Sequence, residues 1–152
     1  MVDAQISRTM QASPERVFAE LSDGWTYTAW VVGAMHMRDV DPSWPKEGAR
    51  LHHRVGVWPI GTSDTTQVLE CDPPRRLVLQ ARGWPAGEAR IVFTLEADGP
   101  GACTVTMDEW PTHGPGRMMR NAVGSALIRQ RNRETLERLA CRVENRPLDQ
   151  PA

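Results

Sequence analysis

Apolar and polar residues alternate through the middle of this chain, and the period turns helical near both ends. Val2–Met10 sets Ala4, Ile6, Arg8 and Met10 against Asp3, Gln5, Ser7 and Thr9, the pattern of a first strand. Ser13-Pro14-Glu15 reads as a helix start, with Ser as N-cap, Pro at the first helical position and an acid in the first turn. Val17, Phe18 and Leu21 form the apolar stripe of that helix, and Trp25–Trp30 reads as a second short helix or turn. Six further strands are expected over 34–40, 50–58, 62–71, 76–82, 88–97 and 102–110. Leu51, His53, Val55 and Val57 share one face, as do Leu77, Leu79 and Ala81. Ala89, Ile91, Phe93 and Leu95 share another, followed by Cys103, Val105, Met107 and Glu109. Turn residues separate the runs, including Asp72-Pro73-Pro74 and Asp98-Gly99-Pro100-Gly101. Consecutive short-linked strands predict an antiparallel meander with one buried face.

From Met119 to Val143 the apolar residues recur at helical spacing: Val123, Ala126, Leu127, Leu136, Leu139 and Ala140. A helix that long, about 40 Å at 1.5 Å per residue, can bury its stripe only along the concave side of the sheet. One domain over residues 1–146 is expected, with 147–152 as a tail.

Composition narrows the function classes. The net charge is −1, which gives no global attraction to nucleic acid or anionic membrane. Residues 117–143 nevertheless hold seven Arg and two Glu, either a solvated helix face or a docking surface for an anionic partner. Cys71, Cys103 and Cys141 are far apart and odd in number, which argues against a disulfide framework. His36, His52, His53 and His113 lack metal-binding spacing, so no metal or other cofactor is expected. Phosphate-binding glycine loops and a G-x-S-x-G nucleophile elbow are missing too. No signal peptide and no apolar run long enough to span a bilayer is visible, so a cytoplasmic location is expected. Six Trp against two Phe and one Tyr is unusual. Four of the Trp precede Pro in turn contexts, where indoles cover a core end or line a cavity mouth.

Several stretches carry a family likeness. They are Ser13-Pro14-Glu15-Arg16-Val17-Phe18, Leu21-Ser22-Asp23 with Tyr27 and Trp30-Val31-Val32-Gly33, and Trp44-Pro45-x-x-Gly48. Val68-Leu69-Glu70-x-Asp72-Pro73-Pro74-Arg75-Arg76-Leu77 and Thr104-Val105-Thr106-x-x-Glu109 complete them. In this order of elements the chain resembles the helix-grip superfamily of START-like lipid-transfer domains, birch-pollen-allergen-like proteins and polyketide cyclases (SRPBCC). The resemblance implies an α+β helix-grip fold: about seven curved antiparallel strands wrapped around a long C-terminal helix, with two short helices between strands 1 and 2. It also implies a cavity between sheet and helix. The shared residues are capping, turn and packing residues, so they carry shape and do not choose a reaction.

In such a cavity the expected lining is Trp30, Leu51, Val55, Thr66, Leu79, Ile91, Phe93, Val105 and Met107 from sheet and short helix. Met118, Met119, Ala122, Ala126 and Leu127 are expected to close it from the long helix. Glu109, His53 and Asp64 are the candidate acid–base groups: a carboxylate among apolar neighbours, and an inward His with an Asp on the next strand. Three functions fit. The first is binding of a hydrophobic small molecule, polyketide-like, aromatic or lipid. The second is a cyclase- or dehydratase-type enzyme. The third is a protein-interaction domain, which predicts a filled core. A monomer or homodimer fits each of them.

Overall fold

The alternating segments from residue 34 onward pair in chain order, and the first strand joins the last, in the computed structural model, which describes residues 4–57, 60–83 and 87–145. The expected tail 147–152, the start of the first strand and the turn residues Trp58, Pro59, Trp84 and Pro85 lie outside the described residues. The strands are β1 (Ile6–Met10), β2 (Ala34–Val40), β3 (Arg50–Val57), β4 (Ile60–Asp72), β5 (Arg76–Gly83), β6 (Gly87–Ala97) and β7 (Cys103–His113). They form one antiparallel sheet in the order β1-β7-β6-β5-β4-β3-β2. Between β1 and β2 lie α1 (Pro14–Leu21), a 3₁₀ turn (Gly24–Thr26) and α2 (Tyr27–Trp30). After β7 a second 3₁₀ turn (Pro115–Met119) leads into α3 (Ala122–Val143). This is the α+β helix-grip architecture.

Local chemistry sets the element ends. Ser13 caps α1 by accepting the Arg16 amide, with Pro14 at the first helical position. Asn121 caps α3 by accepting the Gly124 amide at 2.8 Å. Gly24 touches the sheet so closely that a Cβ there would lie 2.6 Å from Leu51 Cδ2.

The strand faces read from the alternation are those buried. Leu51, His53, Leu77, Leu79, Ile91, Phe93, Leu95, Cys103, Val105, Met107 and Glu109 all face inward and are buried. They pack with Met10, Val17, Phe18, Leu21 and Trp30 into one core. All three cysteines are unbridged.

Helix α3 departs from expectation in its first half. Its 22 residues span about 33 Å. Leu136, Leu139, Ala140 and Val143 are buried in the common core. Ion pairs Arg142–Glu20 and Arg8–Glu137 reinforce that end. The Gln11 amide donates to Glu144 Oε2 at 2.7 Å beside them. Carrying the same phase backwards at 3.6 residues per turn brings Thr135, Asn132, Ile128, Ser125 and Gly124 to the inner side. Val123, Ala126 and Leu127 therefore face outward, and Val123 and Leu127 are 71% and 59% exposed. The apolar residues change sides halfway along the helix because its packed C-terminal half fixes the rotation of the whole.

Leu139→Ala is expected to cost about 2–5 kcal/mol in urea unfolding, whereas Leu127→Ala should stay within about 0.5 kcal/mol of wild type. Equal losses would contradict this helix phase.

Candidate functional site

The unpacked half of α3 leaves a cavity of about 430 Å³ between helix and sheet. Its floor is sheet: Thr66 of β4, Ala81 of β5, Ala89, Ile91 and Phe93 of β6, Met107 and Glu109 of β7. Ile128, Arg131 and Thr135 roof it from α3, and Tyr27 with residues 31–34 closes one side. The β5–β6 hairpin, Pro111 and Gly116 frame the other end. Gly87 is required there. Its φ is +107°, and a Cβ would lie 2.1 Å from the His113 carbonyl oxygen.

Register explains which side chains meet. Ala81 lies opposite Ala89, so two small residues on adjacent strands open space where larger ones would fill it. Ile91 lies opposite Glu109 and Phe93 opposite Met107. Phe93 contacts the Trp30 ring edge-on, with centroids 6.0 Å apart.

The polar groups form two sets. In the first, His53 Nε2 and Thr66 Oγ1 share a hydrogen bond of 2.7 Å. Tyr27 stacks near His53 and also bonds Thr66. His53 and Thr66 are 2% and 0% exposed. Burial pushes the His53 pKa down, against the pull of Asp64, so the imidazole is held neutral. Its Nδ1 is buried without a protein partner. Burial pushes the Tyr27 hydroxyl up to about 12, so it remains a neutral phenol.

The second set ties the roof to the floor. Arg131 of α3 forms an ion pair with the buried Glu109 of β7. Asn132 Oδ1 accepts from Arg131 Nη2 at 2.9 Å, holding the guanidinium in place. Thr135 Oγ1 accepts from the Val32 amide at 3.2 Å, pinning the loop after α2 to the helix.

Of the residues expected from sequence, His53, Thr66, Ile91, Phe93, Met107 and Glu109 line the cavity. Trp30, Leu51, Leu79 and Val105 do not. They are buried in the core beside it, Trp30 behind Tyr27 and Phe93. Met118, Ala122 and Ala126 are corrected outright: all three are exposed, Met118 at 85%, because α3 turns its other side inward. The side chains of Val55 and Met119 lie outside what is described. Asp64 stands opposite His53 in register but outside the lining, and the His53 bond goes to Thr66. Glu109 faces inward as expected, but with a guanidinium partner in place of purely apolar neighbours.

Tyr27, Ala81, Ala89, Ile128, Arg131 and Thr135 were missed as lining residues. The helix trio was legible by projecting the Leu136–Leu139–Val143 stripe backwards. Tyr27 had no periodic signal, since its position follows from tertiary packing of a single helical turn.

The His53 imidazole should titrate below the ~6.5 of a free histidine in an NMR pH titration. As pH falls through that ordinary value, the unfolded chain takes up a proton that the folded chain resists. Stability should therefore decline on the acid side, and His53→Gln should remove that part of the decline. A midpoint at or above the free value would contradict a desolvated, neutral ring.

Comparison with known proteins agrees with this fold. Residues 1–144 match the family described as polyketide cyclase / dehydrase and lipid transport. No curated protein matches the chain. Among solved structures, a protein from Mesorhizobium loti is similar at TM-score 0.68 and 15% identity, covering 95% of this chain and 97% of that one. DynU16, a protein of the dynemicin biosynthetic locus, is similar at TM-score 0.66 and 23% identity. That match covers 95% of this chain but only 48% of DynU16. The Aha1 dimer from Colwellia psychrerythraea is similar at TM-score 0.66 and 16% identity, covering 95% and 97%. At these identities the structural neighbours establish the fold alone. The match over residues 1–144 establishes the family, and the chain belongs to the polyketide cyclase / dehydrase and lipid transport family.

Proposed function

We propose that the protein binds an uncharged, mainly apolar small molecule in the cavity between the sheet and α3. The observation that carries this reading is an apolar-walled cavity of about 430 Å³ between the sheet and α3, with the buried, neutral His53 in its wall. Ile91, Phe93 and Met107 supply the apolar contact. Polyketide-like, aromatic and lipid molecules all meet this description.

The enzyme reading, a cyclase or dehydratase, draws on the same histidine. A neutral His53 bonded to Thr66 is suited to accept a proton from a bound substrate. Glu109 is less suited as its partner, because Arg131 already holds the carboxylate. Binding therefore ranks first. The interaction-domain reading needs a filled core, and the cavity speaks against it.

A neutral fluorescent probe, N-phenyl-1-naphthylamine, should bind the purified protein. Ala89→Trp, which fills the gap between β5 and β6, should weaken that binding roughly tenfold or more, about 1.4 kcal/mol. A folded variant with unaltered affinity would place the binding site elsewhere. Native mass spectrometry of protein from its own host should show a neutral, low-mass hydrophobic adduct. Should a substrate be found, loss of turnover in His53→Gln with binding retained would move the weight to catalysis.

A further inference from the structure

The outward face of the cavity's roof is the least water-adapted surface among the described residues. Five large hydrophobic side chains are strongly exposed, and three of them, Met118, Val123 and Leu127, fall within ten consecutive residues. Val123 and Leu127 are one turn apart on the outer side of α3, and Met118 projects from the 3₁₀ turn just before it. Soluble surfaces carry isolated apolar residues without consequence, but a cluster on one face marks a site of contact.

The charge of the same segment is one-sided. Residues 114–133 contain five Arg and neither Asp nor Glu, in a chain whose net charge is −1. Arg131 is engaged with Glu109 inside. Arg117 and Arg120 are exposed and form no ion pair among the described residues. Protruding apolar residues on a convex helix, flanked by free guanidinium groups, match the boundary of an anionic lipid bilayer. The apolar chains enter the acyl edge and the cations meet the phosphates. A protein partner would need a concave groove to receive these side chains, whereas a fluid bilayer yields to a convex one.

The position of this face gives it a use. Gly116 and Ile128 of the same segment line the cavity. The surface that favours lipid and the roof of the binding site are thus two sides of one piece of chain.

We propose that the segment from the 3₁₀ turn through the first two turns of α3 docks the protein on anionic membrane surfaces, laying the outer side of the cavity's roof against the bilayer. Docking stands on the surface alone. That the bound molecule passes between cavity and lipid rests on the binding function proposed above.

The test is co-sedimentation of the full chain with vesicles of phosphatidylcholine mixed with phosphatidylglycerol, and with vesicles of phosphatidylcholine only. Wild type should sediment with the mixed vesicles and much less with the neutral ones. Arg117→Gln combined with Arg120→Gln should lower partitioning roughly tenfold or more, from the loss of two cations at an anionic surface. Val123→Asp combined with Leu127→Asp should abolish it while N-phenyl-1-naphthylamine affinity is retained, which shows that the variant is folded. Three results would each overturn the proposal: no sedimentation with anionic vesicles, sedimentation unchanged by both double variants, or a wild-type dimer that the Asp variants dissociate. Should vesicles bind while the probe does not, docking stands and the cavity reading fails.

Discussion

A straight helix cannot follow a curved sheet along its whole length, and everything distinctive about this protein follows from where α3 makes contact and where it does not. Its C-terminal half is committed. Leu136, Leu139, Ala140 and Val143 enter the core. Arg142–Glu20 and Arg8–Glu137 tie that end to α1 and β1. Ahead of that end the helix bridges a gap, and Arg131–Glu109 and Thr135–Val32 tie it to β7 and to the loop after α2. The cavity is the space beneath that span. The ion pair spans it as a strut, setting the height of the roof without filling the space, which an apolar side chain long enough to reach the floor would do.

That division explains why the polar residues sit where they do. The inner helix face of Gly124, Ser125, Asn132 and Thr135 is small and polar where the C-terminal half is apolar, and Thr135 brings a hydroxyl to the cavity wall. Thr66 serves the floor in the same way, joining Tyr27 and His53 into a chain of neutral groups. Desolvation keeps both rings uncharged, and the charged groups of the lining are paired with one another, Arg131 with Glu109 and Arg82 with Glu88. Such a site favours neutral ligands, since a buried ion would need a counter-charge. The two guanidinium groups that could supply one are already held, Arg131 by Glu109 and Arg82 by Glu88.

Most of the fold was legible because strand alternation is a local signal. Leu77, Leu79 and Ala81, or Cys103, Val105, Met107 and Glu109, point inward wherever the strand lies in the sheet. The Ser13 cap and the Asp98–Gly101 turn are equally local. The roof was not legible by the same means. Apolar character at Met118, Ala122, Ala126 and Leu127 suggested an inward face, whereas rotation is a property of the whole helix and is decided by its better-packed end. The acid–base partnership of His53 and Asp64 had a related weakness. Adjacency in register was right, but the rise of one residue pair along β4 gave the bond to Thr66. Tyr27 and Arg131 reach the site through tertiary packing, and only the helix period could have flagged the second.

The space under α3 is proposed as a ligand site and not a packing defect. Amide chemical-shift mapping during titration with N-phenyl-1-naphthylamine tests it most directly. For a ligand site, shifts are expected to concentrate at Thr66, Ala81, Ala89, Ile91, Glu109 and Ile128, around the cavity wall. Shifts confined to the outer face of α3 around Val123 and Leu127, with the wall unmoved, would contradict it.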